Sequence, residues 1–132
     1  MFGADIIAGF PTETEEMFEN SLRIVEDCGL TYLHVFPFSP RPGTPAARMP
    51  QLDRGVVKAR AARLRDVGNA RLQAFLSREV GAMRQVLIET RLSGRTEHFA
   101  QVKFESAMTP GAIVTAKVTG KGAAHLEARL AA

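Results

Sequence analysis

The chain has 132 residues, 45% hydrophobic and 23% charged, with a formal net charge of +3 and one cysteine. That balance excludes a disordered chain, and no stretch approaches the roughly 18 uninterrupted apolar residues of a membrane span. The lone Cys28 excludes a disulfide framework and a zinc or iron–sulfur site built from one copy of the chain. No basic-then-apolar leader opens the sequence, so the expected location is cytoplasmic, with no membrane partner. The charge is uneven: residues 1–50 hold seven Asp/Glu against three Lys/Arg, and residues 51–132 hold seven against fourteen. A basic second part is the electrostatic footprint of a partner with a phosphate backbone.

In chain order, the apolar run Phe2 to Phe10 stops at Pro11 and reads as a buried parallel strand. A chain that opens on such a strand reads as truncated, because a core strand needs neighbours on both sides. Thr12 and Glu15 fit a capping box, and Glu13, Glu15 and Glu16 put negative charge where the dipole favours it, so a helix is expected over 13–28. Phe18, Leu22, Val25 and Cys28 repeat at helical spacing, which assigns Cys28 to packing, and Gly29 supplies the terminating residue. Tyr32 to Phe38 reads as a second strand, completing a βαβ unit whose remaining strands must lie upstream. His34 within it reads as a core residue.

Ser39 to Pro50 carries four of the seven prolines and is a loop after a strand's C-terminal end, with Arg41 fixed between two prolines. From Leu52 to Glu79 a stripe of Val57, Ala61, Leu64, Gly68, Leu72 and Phe75 predicts a long helix, interrupted near Gly68-Asn69. Arg54, Lys58, Arg60, Arg63, Arg65, Arg71 and Arg78 fall on its other surface. The period then changes. Runs at 85–90, 98–104, 112–118 and 125–130, parted by Ser93-Gly94, Thr109-Pro110-Gly111 and Gly120-Lys121-Gly122, predict four or five short strands in a small antiparallel barrel. The expected class is therefore α/β followed by β, with divisions at 1–50, 51–80 and 81–132.

Two motifs in a definite order carry a resemblance. Gly3 to Glu15 is similar to the D-x-I-x-G-F-P-G-E-T strand motif of radical S-adenosylmethionine tRNA methylthiotransferases, with Thr12 in place of the usual second glycine. Tyr32 to Ala46, Leu-His-Val-Phe ahead of Ser-Pro-Arg-Pro-Gly-Thr-Pro-Ala, resembles the next strand and loop, most closely in the branch acting on N6-threonylcarbamoyladenosine 37 of tRNA. Gly81 to Arg129 is similar to the TRAM domain that closes these enzymes. The resemblance implies the end of a radical SAM barrel, a partial TIM-type barrel, then an OB-like RNA-binding barrel.

It further implies S-adenosylmethionine and two 4Fe-4S clusters in a parent enzyme. Their cysteine ligands are absent here, so this piece alone is expected to be inactive, and the missing N-terminal part of the polypeptide is an expected partner. Ile7, Gly9, Val35 and Phe36 are implied as the cofactor wall at the strand ends. For a tRNA anticodon stem-loop the candidates are Arg41, Arg91, Arg95, Phe99, Lys103, Lys117 and Lys121, with Phe99 as a stacking residue and the cations forming one basic face. Two alternatives remain open: a non-catalytic RNA-binding module, and the isopentenyladenosine branch of the family.

Overall fold

The opening apolar run is strand β1 (Phe2–Ala8), followed by helix α1 (Glu15–Asp27) and strand β2 (Leu30–Pro37), in the computed structural model, which describes residues 1–131. The two strands pair in parallel, with Asp5 opposite His34, Ile6 opposite Val35 and Ile7 opposite Phe36. This is the expected βαβ unit. Because side chains alternate along a strand, one face carries Ile6, Ala8, Leu33 and Val35 onto helical residues Phe18, Val25, Ala61 and Leu64. The other face, with Asp5, Ile7, His34 and Phe36, is exposed. His34 is therefore not a core residue, contrary to the sequence expectation.

Helix α1 begins later than the capping-box reading predicts. Thr14 is the cap, its Oγ1 accepting from the Met17 N–H at 3.2 Å. Thr12 cannot serve, because the chain turns sharply there: Glu13 N–H donates to the Phe10 carbonyl at 2.9 Å and Thr12 takes a φ of 70°. A β-branched residue is strained in that left-handed region, at about 1–2 kcal/mol, and this is the position where the resembling motif carries glycine. Cys28 is a second correction. The helix ends at Asp27, and Cys28 stands exposed at its C-terminal cap, off the stripe buried through Phe18 and Val25.

Helix α2 (Arg54–Glu79) is continuous. Asp53 opens it, its Oδ1 accepting from the N–H groups of Gly55 and Val56 at 2.8 and 3.3 Å. No break occurs at Gly68, where a Cβ would stand 3.1 Å from the Leu33 side chain; the glycine serves close packing. Two compact units are present, Phe2–Arg71 and the chain from Leu72 onward, and α2 contributes to both. Ala61 and Leu64 pack in the first, Leu72, Phe75 and Leu76 in the second.

The second unit is a closed barrel of β3 (Met83–Thr90), β4 (Ser93–Thr96), β5 (Gln101–Phe104), β6 (Ile113–Lys121) and β7 (Leu126–Leu130), in the order β3-β4-β5-β7-β6. Val86, Ile88, Val102, Phe104, Ala116, Val118, Leu126 and Ala128 alternate inward and form its core. Three details correct the sequence reading. The barrel is mixed: β5 and β7 pair in parallel, which closes the ring without a further strand. Ser93-Gly94 opens a strand, because a Cβ at Gly94 would meet the Leu87 carbonyl at 2.3 Å and only glycine allows β3 and β4 so close. Gly120-Lys121 also lies within a strand, beside a register shift between Val118 and Gly120.

An acidic residue at a helix C-terminus opposes the dipole, yet Glu79 ends α2 and is buried. Arg84 of β3 compensates it bidentately, Nε to Oε2 at 2.5 Å and Nη2 to Oε1 at 2.9 Å. Hydrogen bonding from Arg84 holds the Glu79 carboxyl below its ordinary 4.5.

Candidate cofactor wall and nucleic-acid interface

At the C-terminal ends of β1 and β2, Ile7 and Phe36 are register partners on the exposed face, 54% and 51% accessible. They line a cleft of about 460 Å³ with Phe38, Ser39, Arg41 and Thr44. An apolar shelf under a polar loop, at parallel strand ends, suits the planar face of a nucleoside. Val35 and Gly9 sit differently from Ile7 and Phe36. The Val35 side chain belongs to the helical core on the opposite face, and its carbonyl accepts from Arg65 Nη2 at 3.4 Å. Gly9, with φ 79°, is buried; a Cβ there would lie 2.7–2.9 Å from Val57 of α2, and its N–H donates to Glu13 Oε1 at 3.1 Å.

Arg41 opens a turn. Thr44 donates to the Arg41 carbonyl through its N–H at 3.3 Å and through its hydroxyl at 2.8 Å, with Gly43 at φ 83°. Pro-Gly at the centre and positive φ at the third position fit a type II turn. The loop's backbone is thereby pinned while the Arg41 side chain is exposed at the cleft. A short 3-10 turn, Ala46–Arg48, follows within the stretch read as loop.

Arg60, placed by sequence on the solvated side of α2, is instead buried, with its side chain 9% accessible. Nη1 donates to the Glu13 carbonyl and to Glu13 Oε1, both at 2.8 Å, and Nη2 reaches Glu15 Oε2 at 3.2 Å. Glu13 in turn holds Gly9, so Arg60 fixes the β1–α1 turn through one carboxylate. Arg63 extends the network to Glu15 and Glu19, at 2.6 and 2.5 Å, and holds the Glu15 carboxyl below its ordinary range. The missed signal was positional: Arg60 stands three residues after Val57 and four before Leu64, within the buried stripe.

On the barrel, Arg95, Lys103 and Lys117 all lie at outward-facing strand positions. Arg91 is exposed in the β3–β4 turn. Arg95 pairs with Glu89 at 3.2 Å and stacks its guanidinium 4.7 Å from the centroid of Phe99. Phe99 is 68% accessible and has a φ of 66°, an uncommon conformation for a bulky residue that presents the ring to solvent. Lys121 is tied down, its Nζ donating to Gln73 Oε1 at 2.5 Å. Sequence reasoning missed Arg129, directly opposite Lys117, although the alternation of Leu126 to Leu130 marks it as outward.

No helix of the described residues is long and apolar enough to cross a membrane, and no cluster of three or more His, Cys, Asp or Glu among them could hold a metal ion. The donor set does not fit an iron–sulfur cluster: Cys28 is the only thiol.

No family model matches the chain. It is 49% identical over 119 residues to threonylcarbamoyladenosine tRNA methylthiotransferase MtaB of Rickettsia prowazekii, a match covering 90% of this chain and 28% of that protein. It is 40% identical to tRNA-2-methylthio-N(6)-dimethylallyladenosine synthase of Aeromonas salmonicida, over 80% of this chain and 24% of that protein. The corresponding protein of Mycobacteroides abscessus is 38% identical, over 92% of this chain and 27% of its own length. The chain thus spans under a third of the length of these relatives.

Proposed function

Because the chain belongs by sequence to the C-terminal region of the tRNA methylthiotransferase family, we propose that it is the cofactor-lining and RNA-docking part of an enzyme that adds a methylthio group to C2 of N6-threonylcarbamoyladenosine 37 in tRNA. The carrying observation is that similarity runs through both units, 119 residues at 49% identity to a protein named for that substrate. The lower 40% and 38% identities to dimethylallyladenosine enzymes make that substrate the second reading.

Within the parent enzyme, in the cytoplasm, S-adenosylmethionine and two 4Fe-4S clusters supply the radical and sulfur-transfer chemistry. The chain's own residues bind and orient. Ile7 and Phe36 form an apolar shelf for the nucleoside of the cofactor, beneath the loop pinned at Arg41 and Thr44. The Arg60–Glu13–Gly9 chain of hydrogen bonds holds the β1–α1 turn that ends this shelf. Val35 contributes through strand position, its side chain being committed to the helical core. Phe99, backed by Arg95, offers a stacking surface to an unpaired base, worth about 1–3 kcal/mol when a base stacks on it. Cluster ligands come from outside this chain, which alone does not catalyse the reaction.

Sequencing the frame upstream is the direct test. A Cys-x3-Cys-x2-Cys motif and a further cysteine-bearing domain are expected, followed by methylthiolation of threonylcarbamoyladenosine in tRNA by the full-length product. A frame without those cysteines leaves an RNA-binding module and overturns the catalytic reading.

A further inference from the structure

We propose that the barrel bears an oblique cationic stripe, Arg95–Lys103–Arg129–Lys117, that receives a run of phosphates from an RNA strand, with the directly opposed Arg129 and Lys117 as its densest charge. The proposal rests on the RNA-docking reading above and assigns the surface that performs it.

The strand register builds the stripe. On β4 and β5, Ser93 faces Lys103 and Arg95 faces Gln101, which makes Arg95 and Lys103 diagonal neighbours on the outer face. On β5 and β7, Lys103 faces Glu127, so Arg129 is again diagonal to Lys103. On β7 and β6, Arg129 stands directly opposite Lys117. Diagonal neighbours lie about 7–8 Å apart and direct partners about 5 Å, so four cations follow one another across four adjacent strands. Alternation points all four away from the core.

Three of these four charges have no ion-pair partner among the barrel's described residues, and the fourth, Arg95, is paired with Glu89. Among the described residues, ion pairs in the barrel unit go to Arg84 and Arg95, while Lys103, Lys117 and Arg129 make none. Like charges directly opposite on a ladder are destabilising, so Lys117 beside Arg129 is a local cost that an external anion removes. Glu127 lies on the path of the stripe, but its Oε2 sits over Gly120, 2.9 Å from where a Cβ would be, on the β6 side away from Lys103. A cleft of about 430 Å³ runs beside Lys103 and Arg129; Glu105 and Glu127 also line it, the Thr119 hydroxyl donates to the Glu127 carbonyl at 3.3 Å, and the Ser106 hydroxyl is the donor left for a phosphate oxygen. At the Arg95 end, the exposed Phe99 ring meets a base where the backbone track ends. Cations in a row with an aromatic at one end fit a single-stranded or looped RNA better than a compact anion.

The test is fluorescence anisotropy of the whole chain with a labelled RNA stem-loop, titrated at several salt concentrations. Each phosphate neutralised on a single strand contributes about 0.7 to the slope of log affinity against log salt. Arg129→Gln and Lys117→Gln are each expected to lower that slope by about 0.7 and to weaken binding roughly fivefold at physiological salt. Arg78→Gln, an equal charge change on the exposed side of α2, is expected to leave affinity within about twofold. Equal weakening by all three means diffuse net charge and overturns the stripe. Unchanged binding in Arg129→Gln and Lys117→Gln, with loss in Phe99→Ala, places RNA elsewhere: the stripe fails and RNA docking stands. No binding at any salt defeats both, and equal competition by heparin or duplex DNA overturns the assignment to RNA. Melting curves confirm that each variant is folded.

Discussion

In the βαβ unit, Arg60 and Arg63 of α2 reach three carboxylates of the β1–α1 segment, and the acidic run Glu13, Glu15 and Glu19 is consumed in holding the helices together. In the barrel, Lys103, Lys117 and Arg129 face outward with no such partner, and two of them are set side by side. Both units draw on a basic stretch of sequence, and the difference is whether the register supplies a counter-charge. Basic composition therefore identifies a ligand surface only after the internally matched cations have been removed from the count. By that measure the charge of residues 51–132 overstates the helix and understates β7.

The largest effect that would break this comparison is at Arg60. Replacing it with Ala leaves Glu13 buried without its partner, and removing one member of a buried pair costs about 3–5 kcal/mol. Urea unfolding should show that loss in the βαβ signal, and a cost below about 1 kcal/mol would mean that the pair is no better than a surface one.

Next comes the buried Glu79 of the barrel unit, matched by the partly exposed Arg84. The Glu79 carboxyl is held below its ordinary 4.5, so its folded value lies under its unfolded one. The resulting stability is complete above the ordinary carboxylate range and is lost as pH falls through the lowered folded value. Glu79→Gln should destabilise the barrel by about 1.5 kcal/mol at neutral pH, as expected for a charge-assisted hydrogen bond, and flatten the acid limb of its stability profile. An acid limb as steep as in the parent protein would show that another carboxylate governs it.

The smallest effect sharpens the comparison most. Arg129→Gln removes the repulsion with Lys117 and should raise barrel stability by a few tenths of a kcal/mol while RNA affinity falls. A variant that loses both would show that Arg129 is a packing residue.

Much of the fold was legible in the sequence for local reasons. The two strands around α1, the long α2 and the switch to period two all follow from side-chain periodicity, and the order of the Gly3–Glu15 and Tyr32–Ala46 motifs pointed to the family. The misplaced details were those set by contacts distant in sequence. Thr12 reads as a cap until the left-handed turn is seen, and Ser93-Gly94 reads as a turn until β3 and β4 are brought close enough to require glycine. Of the wall residues, Ile7 and Phe36 share the exposed face while Val35 faces the helices, a consequence of alternation that was readable in principle.

By itself, the sequence determined which segments become helix or strand and which faces are apolar, because those depend on neighbours within a few residues. Only the tertiary structure decided which cations stay free. Whether Arg60 meets Glu13, or Arg129 meets Lys117, depends on residues 47 and 12 positions apart in the chain being brought together by packing and register, and charge compensation is a property of that pairing.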